Sequence, residues 1–232
     1  MAISFLLHRC FSRFLDSHNT ASNTQVKRVA LFGAGRAGSI HLANIVANPR
    51  IELAYVVESD SSSWEACRAK WNLGASKTTF LHPDYVAEVY EDGTVDACVI
   101  FTPTFTHEGF IVGSLQWVSF SRFNQQSSGL KLLFSWRAGK HVFCEKPISK
   151  SDEGTAKCYD LARRTGRTLF CGFQRRFDPS IRSIYDQVRA GAIGHANIIK
   201  STSRDSQLSS LTYLKVISSS MLGKFLVIHY QL

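Results

Sequence analysis

Residues 27–38 read KRVALFGAGRAG, an apolar run followed by three glycines with the spacing Gly-x-Gly-x-x-Gly. The run 27–32 predicts a buried strand, and residues 37–47 have the periodicity of a helix that ends before an Asn-Pro pair. A strand joined to a helix through such a glycine turn is typical of the first unit of a dinucleotide-binding sheet. The stretch therefore predicts an α/β fold and indicates where a nucleotide would bind.

The three glycines have separate tasks in a turn of this kind. Gly33 allows the tight turn, Gly35 lets a diphosphate approach the backbone, and Gly38 lets the helix pack closely against the strand. Free N–H groups and the positive end of the helix dipole would hold the diphosphate. The predicted cofactor-binding turn consists of Gly33, Ala34, Gly35, Arg36, Ala37 and Gly38. The Arg36 side chain would either shield the diphosphate or point to solvent, and a turn that binds nothing is the alternative for the whole motif.

An acidic residue stands at the end of the second predicted strand. Residues 52–57 (ELAYVV) form this apolar run, and Glu58 follows it, twenty residues after Gly38. A carboxylate there could accept hydrogen bonds from both hydroxyls of an adenosine ribose, whereas it would repel a 2′-phosphate. The sequence therefore predicts NAD as the cofactor in preference to NADP.

The alternation of apolar runs and helical segments continues along the chain, which is typical of a doubly wound parallel sheet. Further strands are predicted at 78–80, 96–101, 141–144, 168–173 and about 197–201, with helices between them. We expect a Rossmann domain over 26–174 and the start of an incomplete, open-sheet α/β domain over 175–232. Residues 1–25 are predicted to be a leader, either disordered or similar to a mitochondrial transit peptide.

Polar residues follow two later strands, at the positions where the carboxyl ends of a parallel sheet form a ligand crevice. Thr102 and Pro103 follow one of these strands, and His107 lies in the next helix. Glu145 and Lys146 follow the next strand along the chain. A lysine beside a dinucleotide can donate to a substrate hydroxyl or carbonyl and help to move its proton. Taken alone, the same Glu-Lys pair would be a solvated turn.

Together these motifs resemble those of the glucose-fructose oxidoreductase/inositol dehydrogenase/rhizopine catabolism (Gfo/Idh/MocA) family of NAD(P)-dependent oxidoreductases. Within it, the inositol 2-dehydrogenase-like members are the most similar. The resemblance covers about 26–116 and 138–215. Its motifs are the glycine turn, Glu58, Thr102-Pro103-x-x-x-His107, Ala138-Gly139-Lys140-His141-Val142, Glu145-Lys146-Pro147 and the stretch 172–179.

The resemblance implies a Rossmann domain followed by an α/β domain whose open sheet covers the nicotinamide and holds a polyol or sugar. It implies that hydride passes between a carbinol carbon of that substrate and the nicotinamide ring, with Lys146 as the catalytic lysine. The remaining implied cofactor contacts are Thr102 and Pro103 near the nicotinamide, Glu145 at the cofactor ribose, Gln174 and Arg176 at the domain junction, and His107 and Lys146 beside them. The full-length form is expected to be a homo-oligomer.

Two segments depart from the family pattern. Residues 117–137 are extra and have no clear periodicity, and beyond Lys215 neither the Asp nor the His that accompany the active-site lysine in this family is present in register, His229 being the only late histidine. We expect 117–137 and 216–232 to be translated introns, because each begins abruptly and has a Val, whose codons start with the splice-donor letters GT, within its first two residues. The chain would then be a truncated form of a longer enzyme. A non-catalytic nucleotide-binding protein of the same fold is the alternative.

The charge of the chain first suggests an anionic partner, since 27 Lys and Arg against 18 Asp and Glu give a net charge of +9. Six of these nine excess charges, however, lie in residues 1–24, 117–137 and 211–232. The family-like remainder is only slightly basic, so a nucleic-acid partner is not expected.

Cysteine usage and hydropathy bear on the compartment. The six cysteines form no Cys-x-x-Cys pair and no Cys/His cluster, so neither a metal site nor a disulfide framework is predicted. No apolar run approaches the roughly 18 residues of a membrane span. We therefore expect a cytoplasmic protein, or a mitochondrial one if 1–25 is a targeting leader, whose partner is a small polyol or sugar substrate and not a membrane.

Overall fold

The computed structural model describes residues 13–14, 26–74, 77–121 and 133–202. Its strands are β1 (Lys27–Phe32), β2 (Ile51–Val57), β3 (Thr79–Leu81), β4 (Ala97–Ile100), β5 (Gln116–Ser121), β6 (Leu133–Ala138), β7 (His141–Cys144) and β8 (Leu169–Cys171). Six of them form one parallel sheet in the order β3-β2-β1-β4-β7-β8. Since this is the strand order of a doubly wound dinucleotide-binding sheet, the predicted Rossmann fold class is confirmed.

Helices connect the strands of this sheet. They are α1 (Arg36–Val46), α2 (Trp64–Lys70), α3 (Ala87–Glu91), α4 (Thr104–Leu115), α5 (Asp152–Thr165) and α6 (Pro179–Arg189), with short 3-10 turns at Ser61–Ser63, Pro83–Tyr85 and Gln174–Phe177. Local sequence sets the bounds of α5, because Ser151 Oγ accepts from the Gly154 N–H (3.0 Å) and Gly166 ends the helix in the left-handed region at φ 63°. No helix among the described residues is long and apolar enough to cross a membrane.

Both faces of the sheet are buried, and β1 shows how the sequence achieves this. Val29 and Leu31 belong to the cluster that includes the buried side chains of α1. Ala30 and Phe32 point the other way and belong to the cluster that includes those of α4 and α5. Because successive side chains of a strand alternate between faces, a strand covered on both sides must be apolar throughout.

The strand order reverses at β1, and this reversal positions the candidate site. The chain runs outward from β1 to β2 and β3 and then returns to β4 on the opposite side of β1. The Phe101 N–H donates to the Phe32 carbonyl (2.8 Å), so β1 and β4 end level with each other. The loops that follow these two strands leave the same edge in different directions and open a crevice between them.

Residues 116–138 contain two strands that the sequence did not indicate. In an antiparallel ladder, Gln116 of β5 pairs with Ala138 of β6, and Ser121 pairs with Leu133. Residues 122–132 between these strands lie outside the described part of the chain. The absence of periodicity in 117–137 concealed the ladder, since the main-chain hydrogen bonds of two antiparallel arms need no alternating side-chain pattern.

The strand expected at about 197–201 is wrong. Residues 195–202 have no regular secondary structure, and Ile198 is 89% exposed. A strand needs a neighbour for its N–H and C=O groups, and none of the described residues pairs with this segment. The β-branched residues that suggested a strand are therefore not sufficient to form one.

The chain divides into two compact units, Met1–Tyr185 and Asp186–Leu232. The first contains both sheets. In the second, the described residues contain the end of α6 and a turn in which Gly191 and Gly194 both have φ 71°. The predicted domain boundary between residues 174 and 175 stays a prediction. The predicted leader, for most of residues 1–25, and the predicted translated intron at 216–232 fall outside the described residues.

One residue of the predicted leader packs into the core. Phe14 is 1% exposed, and its ring centroid lies 5.8 Å from that of Phe143 and 6.0 Å from that of Phe170, both nearly edge-on. Such edge-to-face contacts are a favourable arrangement of aromatic rings. Phe14, which precedes β1 in the sequence, is therefore part of the packed interior.

Candidate dinucleotide-binding site

The glycine turn lies between β1 and α1, at the carboxyl edge of the sheet. Gly33 has φ +84°, and a Cβ atom there would lie 3.0 Å from the Phe101 carbonyl oxygen and from Thr102. A Cβ atom on Gly38 would overlap the carbonyl oxygen of Gly33, so only glycine lets the helix approach the turn this closely. A Cβ atom on Gly35 would meet nothing within 4 Å, so open space lies in front of that residue.

The first turn of α1 faces this open space without a side-chain cap. Gly35 is the N-cap residue, and the Ser39 N–H donates to its carbonyl oxygen (2.8 Å). Gly35 and Arg36 are exposed, whereas Ala37 packs against the core. The N–H groups at the start of a helix attract anions, so a glycine cap leaves the site suited to a diphosphate.

Glu58, at the end of β2, is held against the glycine turn. Its Oε2 accepts from the Ala34 N–H (2.7 Å), and its Oε1 accepts from the Asp60 N–H (3.0 Å) and the Ser59 hydroxyl (3.2 Å). The Trp64 indole N–H donates to its backbone carbonyl (3.2 Å). These bonds fix the carboxylate beside the backbone that a diphosphate would approach.

A buried histidine joins the loops that follow β4 and β7. His107 is 1% exposed, with Nδ1 2.7 Å from the Pro147 carbonyl oxygen and Nε2 2.8 Å from the Thr102 carbonyl oxygen. The Thr106 hydroxyl donates to the Thr102 hydroxyl (2.7 Å), and Pro103 is exposed. Both ring nitrogens of His107 face the chain itself, so its structural contacts are with the two loops, and its predicted contact with a cofactor stays a prediction.

Glu145 and Lys146 follow β7 at the same edge. Glu145 Oε1 lies 3.1 Å from His41 Nε2, and Oε2 accepts from the Lys146 N–H (3.0 Å). Lys146 is exposed, and its peptide bond to Pro147 is cis. The carboxylate is thus tied to the protein, whereas the lysine is accessible to a ligand.

The end of β8 adds the last two predicted residues to this edge. The Gly172 N–H donates to the Cys144 carbonyl (2.8 Å), which directly precedes Glu145. Gln174 starts the 3-10 turn that follows, and Arg176 is exposed with its guanidinium 5.8 Å from the centroid of the Phe173 ring. The predicted site residues therefore all lie on loops or helix starts at the carboxyl ends of β1, β2, β4, β7 and β8.

His41 is part of this edge, and sequence reasoning missed it. It occupies a buried position of α1, on the face that also carries Gly38, Leu42 and Ile45. A lone histidine among apolar helix positions has no pattern that reveals a partner 104 residues away. The only available signal was its place one helical turn after Gly38.

The cysteines near the site are poor candidates for chemistry. Burial raises the pKa of Cys144, and burial together with the negative charge of Glu145 raises the pKa of Cys171 to about 12. Both therefore remain thiols at neutral pH, and a thiol is a weak nucleophile and metal ligand. Within the described residues, no three His, Cys, Asp or Glu side chains are grouped so that they could hold a metal ion.

The sheet order, the glycine turn at the strand where that order reverses, and the acid after the second strand define a dinucleotide-binding Rossmann domain. Residues 27–119 match the family model GFO_IDH_MocA, described as oxidoreductase family, NAD-binding Rossmann fold. Residues 27–119 are therefore similar to the NAD-binding domain of the Gfo/Idh/MocA oxidoreductases, and the resemblance seen in the sequence is confirmed.

Several known proteins are similar to the chain. The inositol 2-dehydrogenase of Rhizobium meliloti (strain 1021) is 31% identical over 81% of this chain and 48% of that protein. The myo-inositol 2-dehydrogenase of Thermotoga maritima is 29% identical over 82% of this chain and 48% of that protein. A solved structure is also similar: the crystal structure of scyllo-inositol dehydrogenase from Lactobacillus casei with bound NAD(H) and scyllo-inositol. It matches with a TM-score of 0.57 at 24% identity, over 73% of this chain and 43% of that chain. This match supports the fold. The chain spans about half the length of these relatives.

Proposed function

We propose that this chain binds NAD at the glycine turn and that its complete form is an NAD-dependent oxidoreductase acting on a carbinol of a polyol or sugar. The observation that carries this proposal is the convergence of the glycine turn, Glu58 and the Glu145-Lys146 pair at one edge of the sheet. Inositol dehydrogenases among the relatives support the substrate class.

The residues at this edge fit a dinucleotide. The open space at Gly35 and the glycine cap of α1 suit the diphosphate. The Glu58 carboxylate accepts from Ala34, Ser59 and Asp60, and because a carboxylate has about four acceptor positions it can also accept from a ribose hydroxyl. A 2′-phosphate would place like charges together, which favours NAD over NADP.

Lys146 is the residue that we expect to handle the proton of the substrate. NAD, when bound, supplies the hydride acceptor. Lys146 Nζ would hold the oxygen of the substrate hydroxyl and pass its proton to solvent as the carbinol becomes a carbonyl. Glu145 would contact the cofactor ribose and Thr102 and Pro103 the nicotinamide half, while Gln174 and Arg176 would lie toward the substrate.

A non-catalytic nucleotide-binding protein is the second candidate. It is favoured by residues 216–232, which contain no Asp and whose one histidine, His229, is out of register with the family pattern. In either case we expect the complete protein to be a homo-oligomer. We expect it in the cytoplasm, or in mitochondria if residues 1–25 target it there.

The two candidates differ in turnover but not in binding. NADH binding to the chain is measured by fluorescence titration, and NADH formation by the complete form is followed with NAD and a panel of polyols that includes myo-inositol. We expect binding, and for the enzyme we expect Lys146→Ala to lower turnover by about 10²- to 10⁴-fold while leaving NADH affinity unchanged. Lys150→Ala, a second exposed lysine after β7, is the matched control and should leave turnover unchanged.

Each outcome selects between the candidates. Binding without turnover on any polyol would favour the non-catalytic protein. Full activity of the Lys146→Ala variant would remove Lys146 from the proton transfer. Absence of NADH binding would contradict both candidates.

A further inference from the structure

His41 is a polar residue at a buried position of α1. It is 1% exposed, and its ring lies flat on that of Phe101, with centroids 3.9 Å apart and planes 12° apart. The ring of Phe143 meets it edge-on, at 5.6 Å. Since burying an imidazole is unfavourable unless its N–H has a partner, the Glu145 carboxylate 3.1 Å from Nε2 explains why a histidine is tolerated here.

The Glu145 carboxylate is fixed by two bonds on different oxygens. Oε1 accepts from His41, and Oε2 accepts from the N–H of Lys146. Its side chain is 18% exposed, so little of the carboxylate is left for water to hold. Loss of the His41 bond would free the carboxylate to rotate and would weaken its hold on the Lys146 backbone.

This chain of contacts connects two parts of the site that are distant in sequence. α1 starts at the glycine turn, and Lys146 follows β7, and His41 and Glu145 are 104 positions apart in the sequence. We propose that His41 is a positioning residue, which fixes Glu145 and, through Glu145, sets the Lys146 backbone relative to the glycine turn. This inference rests on the proposed function, because the positioned groups are those expected to meet the cofactor ribose and the substrate.

The competing explanation is that His41 is only a core residue with a satisfied hydrogen bond. Two substitutions separate the explanations. His41→Phe keeps a flat ring on Phe101 but removes the N–H donor, whereas His41→Gln loses the ring and can place an amide donor near the former Nε2 position. A core role depends on the ring, and a positioning role depends on the donor.

The first experiment measures NADH affinity by fluorescence titration. We expect His41→Phe to weaken binding about tenfold, since a hydrogen bond to a charged group is lost, and we expect His41→Gln to restore most of it. In a Glu145→Ala background, His41→Phe should have no further effect, because the group through which it acts is gone. His82→Phe, which removes a histidine from a surface pair with Asp84, is the matched control and should bind NADH like the parent chain.

The second experiment needs no cofactor. Amide hydrogen exchange at Lys146, followed by NMR in the free protein, should be about fivefold or more faster in His41→Phe than in the parent and should return toward the parent rate in His41→Gln. Thermal unfolding of the same variants shows whether the fold is retained.

Together, the two experiments distinguish a failure of the proposed function from a failure of the proposed role of His41. If the parent does not bind NADH, the proposed function fails, and Lys146 exchange alone decides the role of His41. Unchanged Lys146 exchange and NADH affinity in His41→Phe would overturn the inference. It would also be overturned if His41→Gln were as defective as His41→Phe, or if His41→Phe were equally harmful in the Glu145→Ala background.

Discussion

The single carboxylate of Glu58 supports the glycine turn and is expected to meet the cofactor ribose. It accepts from Ala34 on the side of the turn and from Asp60 on the side of its own loop. We predict that Glu58→Gln weakens NADH binding about tenfold, because an ionised acceptor is lost, and weakens NADPH binding less, because the repulsion of the 2′-phosphate is also removed. The ratio of the two dissociation constants, measured by titration, checks this prediction.

A second glutamate provides the control for that ratio. Glu65 lies in α2 with 89% of its side chain exposed, and its only described ion pair is with Arg68 one turn later. Glu65→Gln changes the net charge by the same amount, so we expect its NADH-to-NADPH ratio to equal that of the parent. A Glu58→Gln variant with an unchanged NADH-to-NADPH ratio would show that Glu58 does not contact the cofactor ribose.

Individual site residues differ in how far the sequence reveals them. Gly33 and Gly38 could be predicted because the first has a positive φ and the second has no room for a Cβ atom, whereas Gly35 only faces open space. His41 could not be predicted, since its function depends on Glu145, which only the folded sheet brings within 3.1 Å. His107 was predicted from its motif, but its two contacts with loop carbonyls became visible only in the structure.

At the scale of elements, Asp92 links several of them at the edge of the sheet opposite the candidate site. Its carboxylate accepts from the Thr94 N–H (2.8 Å), the Thr94 hydroxyl (2.6 Å) and the Tyr55 hydroxyl (3.0 Å), and Arg28 lies 4.0 Å away. Burial alone would raise the pKa of Asp92, but these hydrogen bonds and the charge of Arg28 lower it overall. The ionised carboxylate is therefore the form that stabilises β1, β2 and the turn before β4.

The lowered pKa predicts a pH dependence of stability. Since the folded pKa lies below the unfolded value of about 3.9, the contribution of Asp92 is present above about pH 4 and is lost as the pH falls through the folded pKa. We expect Asp92→Asn to lower the free energy of unfolding by about 1–2 kcal/mol at pH 7, with the difference shrinking below about pH 4. Denaturant unfolding at several pH values measures this difference.

A surface aspartate tests whether the effect belongs to Asp92. The side chain of Asp84 is 81% exposed and pairs with His82, so we expect Asp84→Asn to cost less than about 0.5 kcal/mol at pH 7. A parent-to-Asp92→Asn difference that stayed constant from neutral to acid pH would contradict the assignment.

The elements that the sequence predicts well are those whose pattern reflects burial. β1, β2, β4 and β7 are apolar because both faces of the sheet are covered, and α5 has a Ser cap and a terminal Gly. β5 and β6 pair with each other and needed no such pattern. The expected strand at about 197–201 had suitable residues but no described partner, which shows that composition alone does not form a sheet.

At the scale of the whole molecule, the segment 117–137 joins two points of the fold that already lie close together. Gln116 and Ala138 are paired, and the Lys140 N–H donates to the Ser114 carbonyl (2.7 Å), so the end of α4 already meets the start of β7. Paired residues of an antiparallel ladder are about 4.5–5.5 Å apart at Cα, against about 3.8 Å for consecutive residues. Joining Gln116 directly to Ala138 therefore requires a shift of only about 1–2 Å.

We predict that a chain without residues 117–137 folds to the same parallel sheet, with a free energy of unfolding within about 1 kcal/mol of the parent, because a shorter connection also costs less closure entropy. The control deletes 115–135, which has the same length but removes Leu115, a fully buried residue. That deletion should cost about 2–5 kcal/mol, the usual effect of losing a large core side chain. Denaturant unfolding and NADH titration compare the two. Equal destabilisation by both deletions would show that the ladder is an integral part of the fold, whereas loss of stability in the control alone would establish 117–137 as an addition to a complete Rossmann connection.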